Sequence, residues 1–246
     1  MRLLLPSILL ACTTACASAP QARRFPERTP AARAADAVIR ARALRAAGNV
    51  AAAEGWLEAA LAFEPQSAVA RLDLAELLVA TAGDTVRVEA LMAGLPEGDA
   101  HTDDVRGRLA ELRADPRAAE AAYARSLAAR DDPDVRLRRA LLLDGLGRKA
   151  EVVPELERVR AARPDEAAAR VKLAERYEEA GQVAETEAEL RWLAEHADRP
   201  EPWRRLAAFL ARHGQGSRAR AAEAKAAELE PQQAKRSLRP LLPSSR

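Results

Sequence analysis

Cysteine, aromatic residues and strand-like runs are scarce in this chain of 246 residues, and each shortage excludes a class of protein. Both cysteines lie in the first 16 residues, so the rest of the chain has no disulfide and no thiolate metal site. Aromatic residues make up 3%, too few for the stacking platforms that bind single-stranded nucleic acid. Runs that alternate Val, Ile, Thr and aromatic residues are absent, which predicts essentially no β-sheet.

An excess of charge of one sign is missing too. The chain has 39 Lys and Arg against 37 Asp and Glu, a net charge of +2. A nucleic-acid-binding protein would show a basic stripe, so we predict no nucleic-acid partner. The abundant residues are Ala, Leu, Glu and Arg, all strong helix formers, and they favour an all-α fold.

The sequence signatures of common enzymes are also lacking. The chain has no Walker-type phosphate loop, no His-Glu-x-x-His and no Gly-x-Ser-x-Gly. Its three histidines, His101, His196 and His213, are not at metal-ligand spacing. We therefore predict no enzymatic activity, no cofactor, no metal and no small-molecule substrate.

A pattern of two amphipathic helices is present instead, and it returns six times, about every 33 residues. The units begin near residues 34, 68, 100, 133, 167 and 200. Large apolar residues at i, i+3, i+4 and i+7 give each helix one buried stripe. A glycine is expected to turn the chain between the two helices, and a proline to end the second helix. The best-preserved copy, Pro200–Pro231, carries Trp203, Leu206, Ala207, Leu210, Gly214, Ala219, Ala226, Ala227 and Pro231.

These residues stand where the tetratricopeptide repeat family places its repeat signature, and the chain resembles that family. The resemblance implies an all-α, right-handed superhelical solenoid of about six helical hairpins over residues 34–231. Residues 232–246 are expected to form a carboxy-terminal cap or, alternatively, a tail that docks a partner. Two irregularities stand out. Pro154 lies inside an expected helix, which predicts a late start or a bend, and Ala114 replaces the turn glycine of unit three.

The amino terminus resembles the signal peptide of a bacterial lipoprotein, in which a cysteine becomes the first mature residue and carries lipid. Residues 1–16 have a positive start and an apolar stretch too short to span a membrane. Cys12 and Cys16 are both candidates for lipidation, and an ordinary signal peptide cut near residues 17–19 is the alternative. Residues 17–33, rich in Pro, Ala and Arg, predict a flexible tether. Neither cysteine precedes Asp, which by analogy favours the outer membrane, facing the periplasm.

The resemblance implies a membrane-anchored scaffold or adaptor of the bacterial envelope that binds a partner protein along the concave solenoid face. A cell-wall factor that recruits or regulates peptidoglycan enzymes is one alternative, and a component that binds a peptide or small molecule is another. The one asparagine, Asn49, is expected at a turn, which argues against the carboxylate clamp of some family members. The positions predicted to face the partner are Arg42, Arg45, Leu72, Glu76, Val79, Leu137, Leu141, Asp144, Val171, Glu175, Glu178 and Arg204.

Overall fold

The computed structural model describes residues 29–237, with side chains described for residues 29–230, and this part of the chain contains twelve α-helices and no strand. Consecutive helices pair as six hairpins, and each hairpin packs on the next. This confirms the predicted all-α solenoid of about six hairpins. The helices are α1 Pro30–Ala46, α2 Val50–Phe63, α3 Ala68–Ala80, α4 Thr85–Met92, α5 Ala100–Leu112, α6 Pro116–Ala129, α7 Pro133–Gly145, α8 Lys149–Ala162, α9 Ala167–Glu179, α10 Val183–Glu195, α11 Pro200–Arg212 and α12 Gly216–Ser237.

The first helix of the solenoid begins earlier than the sequence pattern predicts. α1 starts at Pro30, whereas the first unit was expected near residue 34. The side chain of Thr29 accepts a hydrogen bond from the Ala32 amide at 3.2 Å, and Pro30 occupies the first turn, where its missing N–H has no cost. Residues 30–33 therefore belong to α1 and not to the tether, and residues 17–28 lie outside the described residues.

Glycine in the left-handed conformation makes the turn inside four of the units. Gly48, Gly147, Gly181 and Gly214 have φ between 72° and 77°. Unit two differs, because Ala82 (φ 50°) takes this conformation in place of the expected Gly83. The connection between α3 and α4 is one residue longer than the connection between α1 and α2. The left-handed residue therefore lies one position further from the start of the second helix than it does in unit one. In unit three, Ala114 (φ 55°) does so at the position where the sequence lacks the glycine.

Two prolines lie inside helices that they were expected to limit. α8 begins at Lys149, as close to its turn glycine as the second helices of other units, so the predicted late start at Pro154 is wrong. Both Pro154 and Ala150, whose carbonyl loses its amide partner, are exposed, so water can hydrate that carbonyl. α12 continues past Pro231 to Ser237. Pro231 therefore does not end the last helix, and no further hairpin follows it in the described residues.

The core changes character along the solenoid. Alanines at close helix contacts, Ala75, Ala140, Ala174, Ala207 and Ala219, are all buried, as the spacing predicts. One apolar cluster extends from Ala34 to Leu109, whereas the later clusters are smaller. Charged residues are buried along the whole solenoid, Asp73 and Asp103 within that first stretch and Arg136 and Glu189 beyond it. Apolar packing is therefore most extensive in the first hairpins, and buried ion pairs accompany it throughout.

Candidate partner-binding face

The first helices of successive hairpins form one face of the solenoid, which we call the first-helix face. Ion pairs join α1 to α3, with Arg42 2.6 Å from Asp73 and Arg45 2.7 Å from Glu76. The same arrangement joins α7 to α9 and α9 to α11, through Asp144 with Arg176 and Glu178 with Arg212. Since these partners lie about one repeat apart, the charges on this face hold neighbouring units together.

The other charged residues predicted to face a partner also form ion pairs, within a single unit. Glu175 lies 2.8 Å from Lys172, and Arg204 pairs with Glu230 of α12. A partner that bound these side chains would have to compete with the existing ion pairs. The charged predicted residues are therefore better explained by contacts between units and within them.

The apolar residues predicted for this face differ in how far solvent reaches them. Val79 is buried in the amino-terminal apolar cluster, because α3 packs against α1, α2, α4 and α5, and it is not available to a partner. Leu72 and Leu137 are partly buried against the core. Leu141 is 42% exposed. Val171 lines a pocket described below.

A polar groove of about 320 Å³ lies at the centre of the first-helix face, and we call it the central groove. Glu76 accepts a hydrogen bond from Arg45 at 2.7 Å and lies 3.3 Å from Nε2 of His101. The contact with His101, together with Arg45, lowers the pKa of Glu76 to about 2, and the contact with Glu76 raises the pKa of His101. Burial raises the pKa of Asp104. The lining residues are Arg45, Glu76, His101, Asp104, Arg108, Arg130, Asp132, Asp134, Val135 and Arg138.

A larger and mostly apolar pocket of about 630 Å³ opens between α9 and α11, and we call it the carboxy-terminal pocket. Val171 comes from α9, Leu190 and Leu193 come from α10, and Pro202 comes from α11. Charged side chains from three of the surrounding segments complete it. Its lining residues are Asp165, Ala167, Val171, Leu190, Trp192, Leu193, His196, Ala197, Arg199, Glu201, Pro202 and Arg205.

Two side chains pack against the indole ring of Trp192. The ring of His196 stacks on it with 4.0 Å between the ring centroids and 13° between the planes. The guanidinium carbon of Arg170 lies 4.1 Å from the indole centroid. Arg170 is itself fixed by Glu189 at 2.7 Å and by the Pro164 carbonyl. These contacts fix the position of the Trp192 side chain at the wall of the pocket.

Sequence reasoning missed most of this pocket. It assigned the face to the first helices alone, and of the predicted positions only Val171 lines the pocket. Trp192 and Leu193 lie at the carboxyl end of the second helix α10, and His196 and Ala197 follow them in the connection to α11. One signal was present, because Leu193 follows Leu190 by three positions and extends the apolar stripe of α10.

Two tyrosines in the described part of the chain act as structural hydrogen-bond donors, and metal ligands do not cluster in it. Residues 29–237 contain no group of three metal-ligating side chains. Tyr123 and Tyr177 donate hydrogen bonds to Glu111 and Glu157, at 2.6 and 2.7 Å. Burial raises the pKa of both phenols, that of Tyr177 to about 12, so each acts as a structural donor. Within the same residues, no helix combines the length and the apolar character that crossing a bilayer requires.

Comparison with known proteins supports the architecture. The sequence model of the tetratricopeptide repeat matches residues 44–115. No curated protein sequence matches the chain. Several solved structures match, all at low identity. One is pilF of Pseudomonas aeruginosa, with 12% identity, a TM-score of 0.64, and coverage of 83% of this chain and 97% of that one.

Two further structures show the same arrangement of helices. PilW, described as a widely conserved type IV pilus biogenesis factor, has 17% identity and a TM-score of 0.61, over 78% of this chain and 91% of that one. A tetratricopeptide repeat protein from Parabacteroides merdae has 16% identity and a TM-score of 0.54, over 77% of each chain. At such identities the likeness shows a shared fold.

Proposed function

We propose that this chain, which matches the tetratricopeptide repeat model over residues 44–115 and shares that fold, is a scaffold whose partner protein docks on the first-helix face, with the carboxy-terminal pocket as the main contact. The observation that carries this proposal is the pocket itself. Its volume of about 630 Å³ falls in the range of ligand sites, and its lining is mostly apolar with a few charged groups. The ordered Trp192 is the kind of residue that dominates binding energy at interfaces.

The composition of the pocket indicates what a partner presents. Val171 and Leu193 are partly exposed, so they can accept apolar side chains and release water from the wall, which the buried Leu190 supports from behind. Arg199 and Arg205 lie at the same site as Asp165 and Glu201, so charges of both signs surround the opening. An apolar anchor flanked by polar residues therefore fits, and a uniformly charged segment does not.

We further propose that the scaffold is anchored in the bacterial envelope through lipid on Cys12 or Cys16, at the outer membrane and facing the periplasm. The support is the lipoprotein-like pattern of residues 1–16. The fold of PilW, a pilus biogenesis factor, is compatible with this location by analogy alone. Stable anchoring takes more than one acyl chain, and the chains of a bacterial lipoprotein satisfy this condition.

The binding proposal is tested by quantitative capture with the tagged full-length protein. Leu193→Glu places a charge in the apolar wall and should reduce recovery of a specific partner by at least about tenfold, which corresponds to about 1.4 kcal/mol. Val86→Glu is the matched control, because Val86 lies on α4, is 73% exposed and is not among the lining residues. Circular dichroism should show equal helix content in both variants. Equal recovery by the two variants would count against the pocket as the binding site.

The anchor is tested by feeding cells an alkyne-labelled fatty acid and detecting label on the protein. The wild-type chain should carry label, and the variant with Cys12→Ser and Cys16→Ser should carry none. The single variants then identify the modified cysteine. Label on the double variant, or none on the wild type, would rule out lipidation at these positions.

A further inference from the structure

The outer side of α1, at the amino-terminal end of the solenoid, is apolar and exposed. Ile39 is 65% exposed, and the exposed Ala43 and Ala46 continue its stripe at helical spacing. One repeat further on, Asp73 and Leu77 stand at the positions of Ile39 and Ala43, and they are only 5% and 2% exposed because α3 packs on the first hairpin. The stripe on α1 therefore lies where a preceding unit would pack.

The outer side of α11, at the opposite end of the solenoid, is apolar as well. Ala208 and Ala211 are exposed there. One repeat earlier these positions are Glu175 and Glu178, and Glu178 lies 2.6 Å from Arg212 of the next unit. In the first unit the same positions make the ion pairs from α1 to α3. The last unit thus presents alanine where these earlier units present the charges that hold the next unit.

The two free ends match each other. The terminal units of a repeat protein ordinarily carry a polar outer face, and neither end of this stripe pattern does. Inside the chain, Asp73 contacts Arg42 of the preceding unit. The same contact between two chains would bring Ile39 of one chain against Ala208 of the other, and the alanines of the two stripes against one another. Apolar surface would then leave water on both sides of the joint.

One charged position opposes this joint. In four of the first five units, a glutamate near the start of the second helix contacts an arginine of the next unit. These pairs are Glu54 with Arg87, Glu89 with Arg113, Glu120 with Arg139 and Glu187 with Arg218. In the last unit Arg220 takes the place of the glutamate, and the joint would set it near Arg40, which matches Arg139 in the repeat. Both arginines are exposed, so water screens their repulsion, which weakens the joint without preventing it.

We propose that copies of this chain associate head to tail, with α1 of one copy packed on α11 and α12 of the next, so that the solenoid continues across the joint. The two faces differ, so each pair of copies leaves one end of each kind free, and longer assemblies form as concentration rises. The first-helix faces of successive copies then form one extended surface. The association does not depend on the partner of the carboxy-terminal pocket.

Other segments of the same chain are the competing occupants of these ends. The expected cap or tail, residues 232–246, belongs to α12 as far as Ser237, and residues 238–246 lie outside the described residues, as do residues 1–28. A chain whose own termini cover its ends stays monomeric, which separates this case from the proposal.

Sedimentation velocity over a concentration series tests the association. The full-length chain carries Cys12→Ser and Cys16→Ser, which removes lipid and disulfides as causes, and it should form dimers and then longer species. Ile39→Glu should weaken the association at least tenfold, whereas Val86→Glu, on α4 and 73% exposed, should leave it unchanged. A chain that stays monomeric throughout the series, or equal effects of the two substitutions, would overturn the proposal.

Crosslinking identifies the faces that meet. In the same cysteine-free background, a chain with Ala43→Cys is mixed with a differently tagged chain with Ala211→Cys and treated with a short bismaleimide. The mixed 43–211 product should predominate. A majority of the 43–43 or the 211–211 product, or the three products in statistical proportions, would exclude the head-to-tail arrangement.

A charge reversal at Arg220 tests the alignment of the repeats across the joint. Arg220→Glu restores the glutamate that the other joints have, and it should strengthen the association severalfold. Lys225→Glu makes the same change of charge on another side of α12 and should not. Unchanged or weaker association of Arg220→Glu, or an equal gain in both variants, would show that the joint does not repeat the contacts between units.

Discussion

The first two hairpins and the fourth and fifth hairpins are joined by different forces. Between α1 and α5, one apolar cluster continues from unit to unit, and the arginines that pair with its carboxylates are exposed, as Arg42 is beside the buried Asp73 and Arg45 is beside Glu76. Between α6 and α10, carboxylates bridge helices from protected positions, as Glu155 does between Arg136 and Arg139. Apolar contacts tolerate several packings, whereas a charge taken out of water must meet its partners. The later part of the solenoid therefore depends more on individual residues.

Glu189→Ala gives the largest expected effect on this comparison. Glu189 is 2% exposed and accepts hydrogen bonds from Arg160 and Arg170. Its removal leaves Arg170 poorly hydrated and without its carboxylate, and breaking such a pair costs about 3–5 kcal/mol. Chemical denaturation measures the loss. Glu151→Ala is the control, because the pair of Glu151 with Arg148 is exposed and screened by water, so its loss should change the free energy of unfolding little. Similar losses in both variants would remove the distinction between the two kinds of pair.

Gly107→Ala tests the tight packing at the junction of the two regions. A methyl group on Gly107 would lie 2.4 Å from Cε1 of the buried Tyr123, so the ring must move. We expect a loss of about 1–3 kcal/mol in the free energy of unfolding. Gly55→Ala on α2 has no atom within 4 Å of the new methyl group and should instead raise stability by about 0.5–1 kcal/mol. Effects of the same sign in both variants would contradict this account.

The turns between the two helices of a unit give the next prediction, in which each substitution should change the free energy of unfolding by about 1 kcal/mol. Ala82 and Ala114 occupy the left-handed conformation, which costs a residue with a side chain about 1–2 kcal/mol. Ala82→Gly and Ala114→Gly should therefore each raise the thermal midpoint. Gly147→Ala should lower it by a similar amount, since the new methyl group meets no atom within 4 Å and only the backbone conformation is affected. A lower midpoint for both glycine variants would show that these turns are not strained.

The smallest expected effect is a pH dependence in the amino-terminal region. The pKa of His101 is raised by Glu76, so its contribution to stability is complete below the unfolded pKa of about 6.5. The contribution is lost as pH rises through the folded value. The pKa of Glu76 is lowered to about 2, so its contribution is present above about pH 4.5 and lost as pH falls towards 2. His101→Gln should therefore cost more stability near pH 5.5 than near pH 8.5. Urea titrations at the two pH values measure this difference, and a pH-independent cost would show that the pair does not titrate.

Repeat spacing predicted the helices well because it reflects local periodicity. The first helices of units two to six begin at the residues where the pattern placed them, from Ala68 to Pro200. The spacing placed the left-handed turn residue of unit two at Gly83, whereas Ala82 takes that conformation. It also predicted a late start for α8 at Pro154, whereas solvent can offset the hydrogen bond lost there and the helix begins at Lys149. The ion pairs were readable in principle, since Arg42 with Asp73 and Arg45 with Glu76 are each 31 residues apart.

The carboxy-terminal pocket was not predictable in the same way. It depends on the gap between α9 and α11 and on the carboxyl end of α10, which reaches a face assigned to the first helices. Val79 shows the converse case. Its register on the helix matches the exposed positions, but the packing of neighbouring helices buries it. The position of the pocket and the burial of Val79 both depend on how the hairpins pack on one another. The apolar period of a single helix carries no information about that packing.

Site-specific photocrosslinking in living cells tests the central claim most directly. A photoreactive amino acid at the exposed position Arg199, on the rim of the carboxy-terminal pocket, is compared with the same residue at Val86 on α4. The account predicts a discrete adduct with another protein from position 199, lost on Leu193→Glu, and none from position 86. The same adducts from both positions, or an adduct from position 86 alone, would contradict a partner-binding pocket between α9 and α11.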